Sequence, residues 1–205
     1  MMERLMKILR RRRKAQRRAG FTLIETMIAI VVLGVGILGL AAMLADGIAY
    51  MDLSQDDYIA QQKAAEAVES IFTARDIGQA TWNTICNVSS AVCSSGVFIN
   101  GAEPMCDPGP DGIVDTADDY NGTACNVAAD AIIVPGSTGA VNVNAGGGTR
   151  LPLSNFTRTV LITNALDTSG NIIANLRQVS VTVTYTNGRF KARSYTLNAY
   201  ISNFS

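Results

Sequence analysis

The chain has 205 residues, 17 basic and 17 acidic side chains and no histidine, which allows one modest folded domain with an appended segment and offers no imidazole for general-base or zinc chemistry. The neutrality averages opposites: residues 1–20 hold nine basic side chains against Glu3 alone, leaving eight basic and sixteen acidic residues, a formal charge of −8, for the rest. Such a body repels nucleic acid. With no glycine-rich phosphate loop and no paired carboxylates on regular elements either, catalysis is not expected.

In chain order, the first segment is a positively charged head from Arg4 to Arg18, densest at Arg10-Arg11-Arg12-Arg13-Lys14 and followed by Ala19-Gly20. Residues 21–44 then contain one charged side chain, Glu25. As a helix rising about 1.5 Å per residue they cover roughly 36 Å, enough for a hydrocarbon core of about 30 Å. Positive charge stays on the cytoplasmic side, so everything after this stretch is expected outside. An ordinary secretory signal has its small residues after the apolar region, whereas Gly20 stands before it, and a cut there leaves the helix attached.

Helical character continues without proline to Arg75, with Ile48, Met51, Ile59, Val68 and Ile71-Phe72 as an incomplete apolar stripe. The continuous helix would run on the order of 80 Å, with Asp46-Gly47 its expected bend because glycine costs about 1 kcal/mol against alanine in a helix. Residues 78–148 are rich in Gly, Asn, Asp, Ser and Ala and read mostly as loop. They contain Cys86, Cys93, Cys106 and Cys125, whose export-like context favours disulfides over a metal site. Three pairings exist, of which Cys86 with Cys93 and Cys106 with Cys125 is favoured. The last third alternates apolar and polar residues over 156–164, 178–185 and 195–201, predicting a three-stranded antiparallel sheet. Thr186-Asn187-Gly188-Arg189 reads as a tight hairpin turn. Trp82 and the tyrosines are expected to be packing residues.

The segment Gly20-Phe21-Thr22-Leu23-Ile24-Glu25-Thr26-Met27-Ile28-Ala29 resembles the prepilin processing motif of the type IV pilin superfamily. The resemblance covers mainly residues 20–45. It implies that a prepilin peptidase cuts after Gly20 and methylates the new amine of Phe21. It also implies that Glu25, with Thr22 beside it, serves assembly, the glutamate meeting the Phe21 amine of a neighbouring subunit. A tolerated glutamate reaching toward the headgroups is the bland alternative. An acidic side chain in a membrane helix costs about 2.5–3.5 kcal/mol on insertion scales, which calls for a partner. The glycines at 34, 36 and 39, the absence of a proline near Ala42 and the Val181-Thr182-Val183-Thr184-Tyr185 run resemble PilV-type minor pilins. The implied fold is α+β and pilin-like: a leader over 1–20, a membrane or filament-core helix over 21–45, its amphipathic continuation over 46–77, a cysteine-containing loop region over 78–150 and an antiparallel sheet over 151–205. Other pilins, the peptidase and the inner-membrane assembly machinery are the implied partners. The location follows: inner membrane, body in the periplasm, then the pilus at the cell surface. A type II secretion pseudopilin is the first rival reading.

No cofactor is required, but one loop is dense in carboxylates. Asp107, Asp111, Asp115, Asp118 and Asp119 suit a calcium ion, which takes six to eight oxygen ligands. Their spacing departs from the EF-hand pattern, and a solvated acidic turn explains them equally. Were calcium held, a calcium-stabilised tip adhesin is the second rival. Asn87-Val88-Ser89, Asn121-Gly122-Thr123 and Asn155-Phe156-Thr157 match a glycosylation acceptor pattern too short to carry an argument.

Overall fold

The computed structural model describes residues 20–122, 124–126, 129–135, 148–186 and 191–203. The chain divides into two compact units, residues 1–49 and 50–205.

Helix α1 spans Leu23–Asp76, 54 residues. Thr22 starts it: its Oγ1 accepts the Glu25 N–H at 3.3 Å, and its carbonyl accepts the Thr26 N–H at 3.2 Å. This is the Thr-x-x-Glu arrangement that satisfies donors left over at a helix start. Gly78, at φ 76°, ends the helix. It turns the chain back so that the Gly78 and Ala80 N–H groups reach the carbonyls of Arg75 and Ala74. Asp46 and Gly47, the expected bend, lie within the helical span. In the first unit the apolar side chains are open, Phe21 79% and Leu38 72% exposed. The helix is long and apolar enough there to cross a membrane by length and composition.

In the second unit α1 supplies half the core. Ala60, Ala64, Ala67, Ile71 and Ala74 are buried, a four–three spacing that keeps them on one face. Ile48 and Met51, expected in the stripe, are exposed, while Val68 and Phe72 are partly buried beside it. The stripe is therefore made largely of alanine, whose short side chain lets the helix backbone sit close to what it covers.

What it covers is a four-stranded antiparallel sheet, one strand more than expected, in the order β1-β6-β7-β8. Here β1 is Glu103–Pro104, β6 Phe156–Leu166, β7 Ile172–Tyr185 and β8 Arg193–Ser202. The inward face is Val160 and Ile162 of β6, Val179, Val181, Val183 and Tyr185 of β7 and Ile201 of β8. Between β6 and β7 the Asp167 carboxylate accepts the N–H groups of Ser169 and Asn171, each at 2.8 Å, a turn in which a side chain stands in for backbone. The β7–β8 ladder ends at Tyr185 opposite Arg193; the Asn187-Gly188 turn lies outside the described residues. The stretch expected to be loop also holds a short hairpin, β2 (Tyr120–Asn121) with β3 (Ala124–Cys125), and a longer pair, β4 (Ala131–Pro135) with β5 (Gly148–Pro152).

Candidate functional site

The N-terminal site is built on the helix start. Gly20 is not at positive φ, and among the described residues a Cβ there would meet nothing within 4 Å. The fold itself therefore does not require glycine at this position. Gly34, Gly36 and Gly39 are equally uncrowded, although each costs about 1 kcal/mol against alanine inside a helix. Phe21 and Glu25 both point into open space. The Glu25 backbone is used by Thr22, while its carboxylate has no ion-pair partner among the described residues. The sequence already carried the Thr22-x-x-Glu25 capping signal, and the structure gives that pair a local role beside the one implied by resemblance.

The acidic loop is closed at its base by Cys106–Cys125, and the loop before it by Cys86–Cys93, the favoured pairing. Inside it the five aspartates part company. Asp111, Asp118 and Asp119 bring one carboxylate oxygen each within 4.8 Å of one another; Asp107 is not of that group. Asp119 is buried and accepts the N–H groups of Gly109 and Asp115, both at 2.6 Å, and of Thr116 at 3.2 Å. The Thr116 hydroxyl lies 2.6 Å from Asp118 Oδ1 and 3.2 Å from Asp111 Oδ2. Gly109 is required, since a Cβ there would stand 2.3 Å from Asp118 Oδ2. Burial pushes the Asp119 carboxyl up. Partial burial acts the same way on Asp118, but hydrogen bonds from Thr116 and the Asp111 backbone outweigh it and hold that carboxyl below its ordinary value. The three groups offer oxygen ligands of the type calcium takes, and they also serve as the acceptors around which the loop is wound.

Asp115 turns away from them. Its Oδ1 accepts the Tyr120 hydroxyl at 2.9 Å and lies 3.8 Å from Arg158 Nε. Burial raises its pKa to about 6, against the opposing pull of Arg158 and the Tyr120 hydrogen bond. Burial, and then the neighbouring Asp115 charge, push the Tyr120 phenol up as well.

Two residues escaped the sequence reading. The Asn87 side chain acts as a piece of strand on the free edge of β6, donating to the Val160 carbonyl at 2.7 Å and accepting the Ile162 N–H at 2.8 Å. Arg177, on β7 and buried, donates to the carbonyls of Trp82, of Ile85 at 2.9 Å and of Val92 at 3.3 Å. Its guanidinium also stacks 4.0 Å from the Trp82 ring centre. The signal for Arg177 was a charge on the core-facing side of an alternating strand; for Asn87 there was none beyond its place next to a cysteine.

Residues 15–41 match the family described as the prokaryotic N-terminal methylation motif. No curated protein and no solved structure matches the chain.

Proposed function

We propose that this type IV pilin-like protein is a minor pilin, a structural subunit that joins or primes a pilus after its leader is removed. The observation that carries the reading is the methylation motif over residues 15–41, set at the head of an exposed apolar helix. Gly20 supports it: a glycine that its own fold does not need is one read by something else, and the reader is a prepilin peptidase cutting before Phe21. Removing nine basic residues frees the apolar helix to leave the cytoplasmic interface. The uncompensated Glu25 carboxylate then meets the methylated amine of Phe21 from a neighbouring subunit, each charge cancelling the other in an apolar surrounding. Gly34, Gly36 and Gly39 let such helices approach closely, and they favour the minor class together with the lack of a proline near Ala42. The protein sits in the inner membrane with its body in the periplasm until assembly draws it out.

Intact mass and N-terminal sequencing of the protein from native membranes tests this. The expected chain begins at N-methyl-Phe21, and Glu25→Ala is processed but absent from sheared surface filaments. A chain beginning at Met1, or cut beyond the apolar stretch, sinks the reading. Recovery only in periplasmic complexes of a secretion system assigns the protein to the pseudopilins instead.

A second reading has one observation in its favour, the convergence of Asp111, Asp118 and Asp119. On this reading calcium stabilises a binding loop at a pilus tip. Its mark is a calcium-dependent rise in melting temperature that Asp118→Asn abolishes; equal melting with calcium and with chelator removes it.

A further inference from the structure

Within the second unit, an open groove of about 440 Å³ runs between the last turns of α1 and the loop at 108–114. Its walls are fastened to each other: the Ser70 hydroxyl accepts the Val114 N–H at 3.3 Å, and the Gln79 amide donates to the Asp111 carbonyl. Ala74, Ile77 and Val114 give it an apolar lining, and its charged groups are Glu66, Glu69 and Asp111, all acidic. Ile77 remains 68% exposed.

The chain's own cations do not answer this charge. Lys63 reaches Glu66 at 2.8 Å but is shared with Asp130 at 2.7 Å. Arg75 is paired with Asp76 and Arg193 with Asp57, while Arg158 and Arg177 are buried. The Asp111 carboxylate accepts only from neutral groups, the Ile113 N–H and the Thr116 hydroxyl.

We infer that the groove receives a lysine- or arginine-bearing segment of a neighbouring subunit in the filament. The aliphatic stem of the basic side chain lies on Ala74, Ile77 and Val114, and its charged head lies among Glu66, Glu69 and Asp111. This rests on the filament reading above. Charge selects the occupant: an acidic segment is repelled, and an apolar one strips water from three carboxylates without pairing them. Lysine and arginine join an apolar stem to a cationic head, which is the pattern of the groove. Bodies carrying a formal charge of −8 gain most from such a contact when they are brought side by side.

The test is the full-length chain carrying Glu69→Lys, expressed in cells lacking the wild-type copy. Glu69 is exposed on α1, and lysine keeps its helix propensity; the level of processed protein in the inner membrane reports folding. Sheared filaments are expected to carry about tenfold less of the Glu69→Lys chain than of wild type. Glu69→Gln gives a smaller loss, and it carries the test if lysine lowers the membrane level. A Lys→Glu or Arg→Glu change in the neighbouring subunit restores the Glu69→Lys chain. Wild-type incorporation of both variants overturns the inference and leaves the filament reading standing. Absence of even the wild-type chain from filaments overturns the reading beneath it, and the inference with it.

Discussion

At the scale of the residue, the strongest constraints fall on buried charges. Arg177 holds three carbonyls of the loop that contains Cys86–Cys93 and stacks on Trp82, a planar fork that an ammonium does not reproduce. Arg177→Lys is therefore expected to destabilise the body by about 2–4 kcal/mol through unsatisfied carbonyls. Trp82, the single tryptophan, reports this as an earlier fluorescence transition on heating the processed chain in detergent. Asp115 gives a pH dependence whose sign follows from its raised pKa, about 6 in the fold against 3.8. The native state binds this proton more tightly, so the contribution to stability is absent above pH 6, grows as the pH falls and is complete near pH 4. Asp119 is shifted in the same direction. Asp118 is lowered, so its contribution is lost only in more acid solution. Melting temperature should thus rise between pH 7 and pH 5, and Asp115→Asn should flatten that slope. A slope that is unchanged in Asp115→Asn would assign the effect to another group.

At the scale of the element, the alanine face of α1 sets its distance from the sheet. Ala64 is fully buried, and Ala64→Leu forces extra methylenes into a filled contact at a cost of about 1–3 kcal/mol. Ala65→Leu, one position along the helix, should cost less, and equal melting of the two variants would show that the packed face has been misidentified. The same face shows what the sequence made legible. The helix was readable from 54 residues without proline, and β6, β7 and β8 from their alternation. The stripe was misplaced because alanine carries little hydropathy, so Ile48 and Met51 stood out although nothing covers them. The two-residue β1 is too short to show a period. The β4 strand is a brief apolar run set among glycine and asparagine, and its partner β5 lies beyond a long intervening stretch, so no local turn signal joined them. At the processing site Gly20, Phe21 and Glu25 were readable as one dense motif. In the acidic loop composition marked five carboxylates, but which of them converge depends on turns that Gly109 and Thr116 decide.

At the scale of the whole molecule, charge and covalent links divide the labour. The chain separates a cationic leader from an anionic body, and much of the body's cationic complement is spent inside, on Asp115, on loop carbonyls and on ion pairs with its own carboxylates. The loop region has few long elements and relies on its two disulfides. By the chain-entropy estimate they are worth roughly 2 kcal/mol for the seven-residue separation and roughly 3 kcal/mol for the nineteen-residue one. Reduction should therefore lower the melting temperature of the body, and replacing Cys106 and Cys125 should loosen the acidic loop to proteolysis before the sheet unfolds. Simultaneous cleavage of loop and sheet would mean that the two unfold as one unit.

The strand surrogate at Asn87 bears on where this protein can be produced. Its amide is the only nitrogen to which a sugar in the Asn87-Val88-Ser89 sequence could be joined, and both of that nitrogen's hydrogen bonds, to Ile99 and Val160, are made in the interior. A eukaryotic secretory host attaches such sugars to chains that have not yet folded, so a glycan at Asn87 would leave the edge of β6 unsealed. Secretion from such a host should yield retained, misfolded material, while a bacterial periplasm should yield the folded body.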